Sequence, residues 1–196
     1  MKPFDTAVIF AGGKSSRMGS DKALLPFDGY SSLSQYQYEK LRKIFKTVYI
    51  SAKHDKFDFS PPLIEDKYKQ SSPLVGLVSI FETIDENEVF ILSVDAPMVE
   101  KEIIEHLYQT ASSDQNADAI IANSPQGLEP LCGIYRRSIT PLAKEFLELN
   151  NHKLVALLSK SKSLYHFFDS CEAFLNINHP SEYEQAKKLF SSNKLV

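Results

Sequence analysis

The sequence predicts an α/β protein: a Rossmann-like three-layer α/β/α arrangement around a mainly parallel central sheet. Two observations carry that expectation. Short apolar runs alternate with longer amphipathic stretches along the chain, and several of the runs are apolar at successive positions, as in strands covered on both faces. Size agrees, because 196 residues with 43% hydrophobic and 24% charged content suffice for one domain, 1–196, to bury a sizeable core.

The elements follow in order. Strands are expected at 6–10 (TAVIF), 47–51 (TVYIS), 88–94 (EVFILSV) and 118–122 (DAIIA), with further strands around 130–135 (PLCGIY) and 173–177 (AFLNI). Helices are expected at 31–45, 74–84, 100–112, 138–149, 153–160 and 180–190. Pro180 with Glu182 places a residue lacking an N–H and a negative charge at a helix start, where both suit the unsatisfied donors and the dipole. Ser72-Pro73 and Thr140-Pro141 are starts of the same kind. Residues 54–62 and 112–118 read as polar connections, and neither a repeat nor a linker-like segment is visible.

Composition narrows the partners. A net charge of -3 with scattered Lys and Arg gives no general electrostatic grip on nucleic acid, so a small molecule is the expected ligand. Two cysteines, Cys132 and Cys171, make neither a disulfide framework nor a cysteine zinc site, and a reducing cytoplasm fits. No stretch approaches the roughly 18 consecutive apolar residues of a membrane span, so a protein neither exported nor membrane-inserted is expected. The five histidines show no metal-ligand spacing.

The segment at residues 8–29, VIFAGGKSSRMGSDKALLPFDG, carries the first functional signal. Gly-Lys-Ser at 13–15 imitates a P-loop, but the required earlier glycine falls on Val8. The dinucleotide pattern fails too, because Gly12 and Gly13 are adjacent and the next glycine is Gly19. What remains is a glycine turn directly after a strand, followed by Lys14, Arg17 and Lys22. Such a turn lets backbone N–H groups approach anionic oxygens while the cations match a polyphosphate; a solvated basic turn is the plain alternative.

Asp95, in FILSVDAPMV, ends the apolar run that reads as a central strand. A carboxylate at that edge either holds a cation or caps a helix beginning after Pro97. Cys132 reads as a packed strand residue rather than a nucleophile, since no histidine shares a local motif with it.

Together, FAGGKSSRMGSDKALLPFDG, IEDKY, SPLVGLVSIF, VDAPMV, EPLCGIYRR and NINHPSEY, in that order, resemble the nucleotidyltransferases of the glycosyltransferase-A-like fold. The close spacing of Arg17-Met18-Gly19 and Asp21-Lys22 is similar to the molybdenum cofactor guanylyltransferases among them. The resemblance implies a nucleotide-diphospho-sugar transferase-like fold and nucleotide contacts from Phe10, Ala11, Gly12 and Gly13. It implies neutralisation of the phosphates by Lys22, with Arg17 on the departing pyrophosphate. Asp95 would be a Mg²⁺ ligand, Asp66 a guanine contact with Glu65 as its neighbouring competitor, and Gly76 with Leu74 part of a turn over base and ribose. Ser51 stands where the family often has a base-contacting asparagine, Ser72 where it usually has glycine, and Phe10 where it usually has leucine.

On the acceptor side the resemblance implies Glu129 and Pro130 at a pocket mouth and an Asn-x-Asn motif at Asn176 and Asn178; turn formation is the plain reading of the two asparagines. The implied reaction is Mg²⁺-dependent transfer of GMP from GTP to the terminal phosphate of molybdopterin or its metal-loaded form, with pyrophosphate released. An anionic acceptor needs no general base, which agrees with the absence of a nucleophile motif. A cytidylyltransferase for the same cofactor, a sugar-phosphate nucleotidyltransferase and a non-catalytic nucleotide-binding accessory protein are the alternative readings. Cofactor-biosynthesis proteins and molybdenum enzymes are the implied protein partners.

Overall fold

The computed structural model of the chain describes residues 4–12 and 21–193, with side chains to residue 190. Seven strands are found among the described residues: β1 (Phe4–Phe10), β2 (Phe45–Ala52), β3 (Leu63–Glu65), β4 (Glu88–Ser93), β5 (Ala119–Ser124), β6 (Gly127–Arg136) and β7 (Ser163–Phe167). They form one sheet in the order β3-β2-β1-β4-β6-β5-β7. Pairing is parallel except at β6, which runs against both β4 and β5. The helices are α1 (Leu33–Leu41), α2 (Pro73–Thr83), α3 (Lys101–Ser113), α4 (Thr140–Glu148), α5 (Leu154–Leu158) and α6 (Pro180–Asn193).

The period-two alternation of the strands explains the three layers. Ala7, Ile9, Phe90 and Leu92 pack with residues of α1 and α3 on one face, together with Phe174, Ile177 and Ala186. Val8, Phe10, Val89 and Ile91 face the other way, toward α2, α4 and α5. Both faces of β1 and β4 are therefore dry, which is why their sequences lack polar alternation. The predicted helix starts are formed: Ser72 Oγ accepts from Val75 N, and Pro73, Pro141 and Pro180 all lie in first turns.

Three expectations are corrected. No strand occupies 173–177; Glu172–Phe174 is a single 3-10 turn, and Phe174 and Ile177 reach the core at a three-residue interval that alternation does not capture. β3 and β7 went unpredicted because a three-residue strand and a half-exposed edge strand carry too little apolar signal. Residues 54–62 are more than a polar connection, since Phe57 is buried and Phe59 packs on the core.

Register brings the strand ends together. Phe10 is opposite Ser51 on one side and Ser93 on the other. The chain leaves β1 for β2 in one direction, while β4 lies on the opposite side, so the crevice between the β1 and β4 loops is a topological switch point.

Helix α1 braces that crevice from behind. Lys40 Nζ donates to the carbonyls of Pro97 (2.7 Å) and Val99 (2.8 Å), and Gln37 Nε2 donates to those of Ser93 and Val94 (both 3.4 Å). Desolvation holds the Lys40 ammonium down to about 8, against the opposing pull of Glu100. Because the folded value lies below the ordinary 10.5, the fold disfavours the charged form; stability should rise as pH increases from about 8 to 10.5 and fall back as pH drops toward the lower value. Urea denaturation across that window should show the rise in the wild type and lose it in Lys40→Met.

Candidate functional site

Asp95 follows β4 at the carboxyl edge and is only 8% exposed. Its carboxylate accepts from Lys22 Nζ on one oxygen and from Ser93 Oγ on the other. Lys22 also donates to Asn178 Oδ1 at 3.0 Å. The backbone closes the same junction, with Ile177 N donating to Asp95 O at 2.8 Å. Asp95 is not a helix cap: α3 begins at Lys101 with Glu100 as its N-cap residue.

The local sequence explains how these groups are held. Asp21 caps a 3-10 turn, Lys22–Leu24, by accepting from Ala23 N (3.0 Å), and Lys56 Nζ bonds both the Asp21 carboxylate and Ala11 O. At the other end, Glu182 Oε2 accepts from Asn178 N (2.6 Å) and His179 N (2.8 Å) at the start of α6. Each segment thus has backbone donors next to its functional side chain bonded by a carboxylate of its own, Asp21 in one and Glu182 in the other.

Two cavities open beside this centre. One, of about 500 Å³, is lined by Asp95, Glu129, Pro130, Lys153, Asn176 and Asn178 together with apolar residues of β6 and α5. The other, of about 320 Å³, is lined by Phe10, Gly12, Ser51, Asp66, Ser72 and Gly76 among others. Pro73, Ser93 and Leu131 line both, so the cavities share a wall. The antiparallel direction of β6 produces this geometry: Cys132 pairs with Leu92, which carries Leu131, Pro130 and Glu129 past the end of β4 toward Asp95.

In the smaller cavity, a Cβ on Gly76 would lie 2.6 Å from the Phe10 ring and 3.3 Å from Ser51 Oγ, so the glycine leaves the space the phenylalanine occupies. Burial raises the Asp66 carboxyl above its ordinary value against the pull of Lys53, whereas Glu65 is exposed on β3 and does not line the cavity. Leu74 is wholly buried in α2. Ala11 does not line it either; its N–H donates to Ser51 O (2.9 Å) and its carbonyl accepts from Lys56. Gly13 and Arg17 lie outside the described residues.

In the larger cavity, Glu129 bonds Ser124 Oγ at 2.9 Å and also the Asn176 side chain. Burial, reinforced by the nearby Asp95 charge, raises its carboxyl, while the Ser124 and Asn176 hydrogen bonds oppose the shift. Cys132 is buried in β6, where burial pushes its thiol up and away from reactivity. The structure thus gathers Lys22, Asp95, Asn178, Asn176, Glu129 and Pro130 at one place and Phe10, Gly12, Ser51, Asp66 and Gly76 at the neighbouring one.

Sequence reasoning missed Lys56, Ser93 and Lys153. Ser93 could have been found from its place two residues before Asp95 at a strand end; Lys56 and Lys153 had no local signal. Among the described residues no group of three or more His, Cys, Asp or Glu side chains could hold a metal ion. The donors beside Asp95 are instead oxygen atoms of one carboxylate and neighbouring polar groups, a set that fits a cation completing its shell with ligand oxygens and water. No described helix is long and apolar enough to cross a membrane.

The family model for the MobA-like NTP transferase domain matches residues 7–164, which includes both cavities' strand-end residues. The chain belongs to this family. It is a nucleotidyltransferase. Similar curated relatives include a Campylobacter jejuni protein named molybdenum cofactor guanylyltransferase, 44% identical over 183 residues, covering 92% of this chain and 94% of that one. A Helicobacter pylori protein of the same name is 35% identical over 187 residues, covering 93% and 88%. The solved structure of molybdopterin-guanine dinucleotide biosynthesis protein A from Archaeoglobus fulgidus superposes with a TM-score of 0.81 at 21% identity, covering 95% of this chain and 99% of that one, and shares the fold.

Because the Glu129 carboxyl is raised in the fold, its stabilising contribution is present at low pH and is lost as pH rises through the raised value. Chemical denaturation from about pH 4 to about pH 7 should therefore show wild-type stability falling relative to Glu129→Gln as pH climbs. Wild-type stability that holds level or rises relative to the variant over that range would contradict the half-buried, Asp95-facing placement.

Proposed function

We propose that the chain transfers GMP from GTP to the terminal phosphate of molybdopterin or its metal-loaded form, releasing pyrophosphate and yielding the guanine dinucleotide form of the cofactor. The observation that carries the reading is the pair of cavities that share Pro73, Ser93 and Leu131, with Asp95 on the larger one's side of that wall bonded to both Ser93 and Lys22. The relatives named molybdenum cofactor guanylyltransferase support the choice of guanine and of the acceptor.

In this reading the smaller cavity takes the nucleotide. Phe10 and Gly76 shape the base pocket, Gly12 approaches the phosphates through backbone, and Asp66 accepts from the ring N–H and amino group of guanine. Ser51, short and buried, leaves room beside the base. Gly13 and Arg17 are proposed contacts to the phosphates and the departing pyrophosphate. The larger cavity takes the acceptor, with Glu129, Pro130, Asn176 and Asn178 along its wall and Lys153 adding a positive charge.

Asp95 would hold Mg²⁺, which when bound supplies charge neutralisation between the acceptor phosphate and the α-phosphate. The chain's own work is alignment. Lys22 exchanges its contact with Asp95 for phosphate oxygens and stabilises the charge that develops in transfer, while Asn178 keeps its ammonium directed at the junction. The attacking phosphate is already anionic, so no side chain need remove a proton.

Incubation with Mg²⁺, molybdopterin and GTP or CTP should release pyrophosphate with GTP; release with CTP alone would transfer the reading to a cytidylyltransferase, and release with neither would sink it. Asp95→Ala should lower kcat by at least about 100-fold, the scale of losing one positioned charge contact, with the fold retained by circular dichroism. Gly76→Ala should weaken GTP binding roughly tenfold by driving the Phe10 ring into the cavity, and Phe10→Leu in that background should recover most of the loss, as read by calorimetry.

A further inference from the structure

The wall shared by the two cavities is tied across its back by a residue that lines neither. His152 lies between α4 and α5, one residue before Lys153, Leu154 and Val155, which line the larger cavity. Its Nδ1 is 3.0 Å from Ser72 Oγ, and Ser72 lines the smaller cavity and caps α2. Its Nε2 is 3.0 Å from Asn150 Oδ1. An amide oxygen only accepts, so Nε2 carries the proton and Nδ1 of the neutral ring accepts from the Ser72 hydroxyl. The hydroxyl in turn accepts from Val75 N at 3.2 Å, completing a chain of hydrogen bonds from the 150–153 turn into the first turn of α2.

Both ends of this chain are rigid. Asn150 occupies the left-handed region (φ 55°) at the end of α4, its N–H bonded to Leu147 O and that of Asn151 to Phe146 O. On the other side Pro73, which lines both cavities, follows Ser72 at the first position of α2. Ser72 and His152 are 80 residues apart in sequence, so no local preference brings them together.

We infer that His152 is a positioning residue, which by holding Ser72 fixes the rim of the nucleotide cavity to the turn that forms the wall of the acceptor cavity. The inference rests on the assignment of the two cavities made above. A residue that served stability alone would leave both affinities unchanged once the protein had folded.

The experiment compares wild type, H152A, H152N, S72A and the S72A/H152A double variant by GTP calorimetry and by steady-state kinetics with both substrates. H152A should weaken GTP binding and raise the KM for the acceptor, each about 3- to 10-fold, the range of one net hydrogen bond. With both substrates saturating, kcat should stay within about two-fold, because no transition-state contact is removed. H152N, whose amide oxygen can accept from Ser72, should recover most of the loss. H152A should add little in the S72A background, since the two side chains act through one bond. Unchanged GTP affinity in H152A, an H152N variant as impaired as H152A, or full additivity with S72A would each overturn the inference. If the wild type binds GTP but releases no pyrophosphate with molybdopterin, the acceptor assignment fails, while the GTP affinities of the same variants still decide the tether.

Discussion

The contact between Lys22 and Asp95 is the constraint on which the rest of this site depends. Each side chain is mostly withdrawn from water, and two such charges are tolerated only when they face one another with their remaining hydrogen-bonding capacity used. Ser93 bonds the second oxygen of Asp95, and Asn178 accepts from Lys22. To bring these four residues within reach, the loops after β1 and β4 must converge with the segment before α6, residues separated by up to 156 positions in sequence. Lys40 and Gln37 of α1 hold the Asp95 segment from beneath, and Lys56 fastens the segment bearing Lys22.

The architecture around that contact explains why two cavities rather than one open at these strand ends. A wholly parallel sheet would direct every strand end to the same crevice. Here β6 runs backwards, and its first half extends past the end of β4 while still paired with β5, adding Leu131 to the wall that Pro73 and Ser93 form between the cavities and placing Glu129 and Pro130 on the larger one. In the proposed transfer between two anionic phosphates, such a division would give each reactant its own pocket beside the matched charges of Lys22 and Asp95. Glu129 also places a raised carboxyl near Asp95, so the centre combines cationic and acidic groups whose balance depends on burial.

The family resemblance and much of the sheet were legible along the chain because they depend on local spacing. Gly12, Lys22 and Asp95 stand at fixed distances from apolar runs, and β1 and β4 are buried on both faces and therefore read as uninterrupted apolar segments. β7 was not legible, since its residues are half exposed and its stability comes from pairing with β5. The segment at 173–177 was misread for the opposite reason: Phe174 and Ile177 are buried, yet what buries them is packing against distant elements rather than a strand's alternation.

Sequence by itself determined the α/β class, the helix starts at Ser72-Pro73 and Pro180, the failure of the P-loop spacing and the candidacy of Asp95. These are statements about residues within a few positions of one another, where propensity, capping and period act directly. Only the tertiary structure decided that Asp66 rather than Glu65 lines a cavity, that Gly76 makes room for Phe10, and that His152 reaches Ser72. Those facts arise from strand register and from side chains meeting across the sheet's faces, and long-range contacts of that kind leave no pattern in the neighbouring sequence.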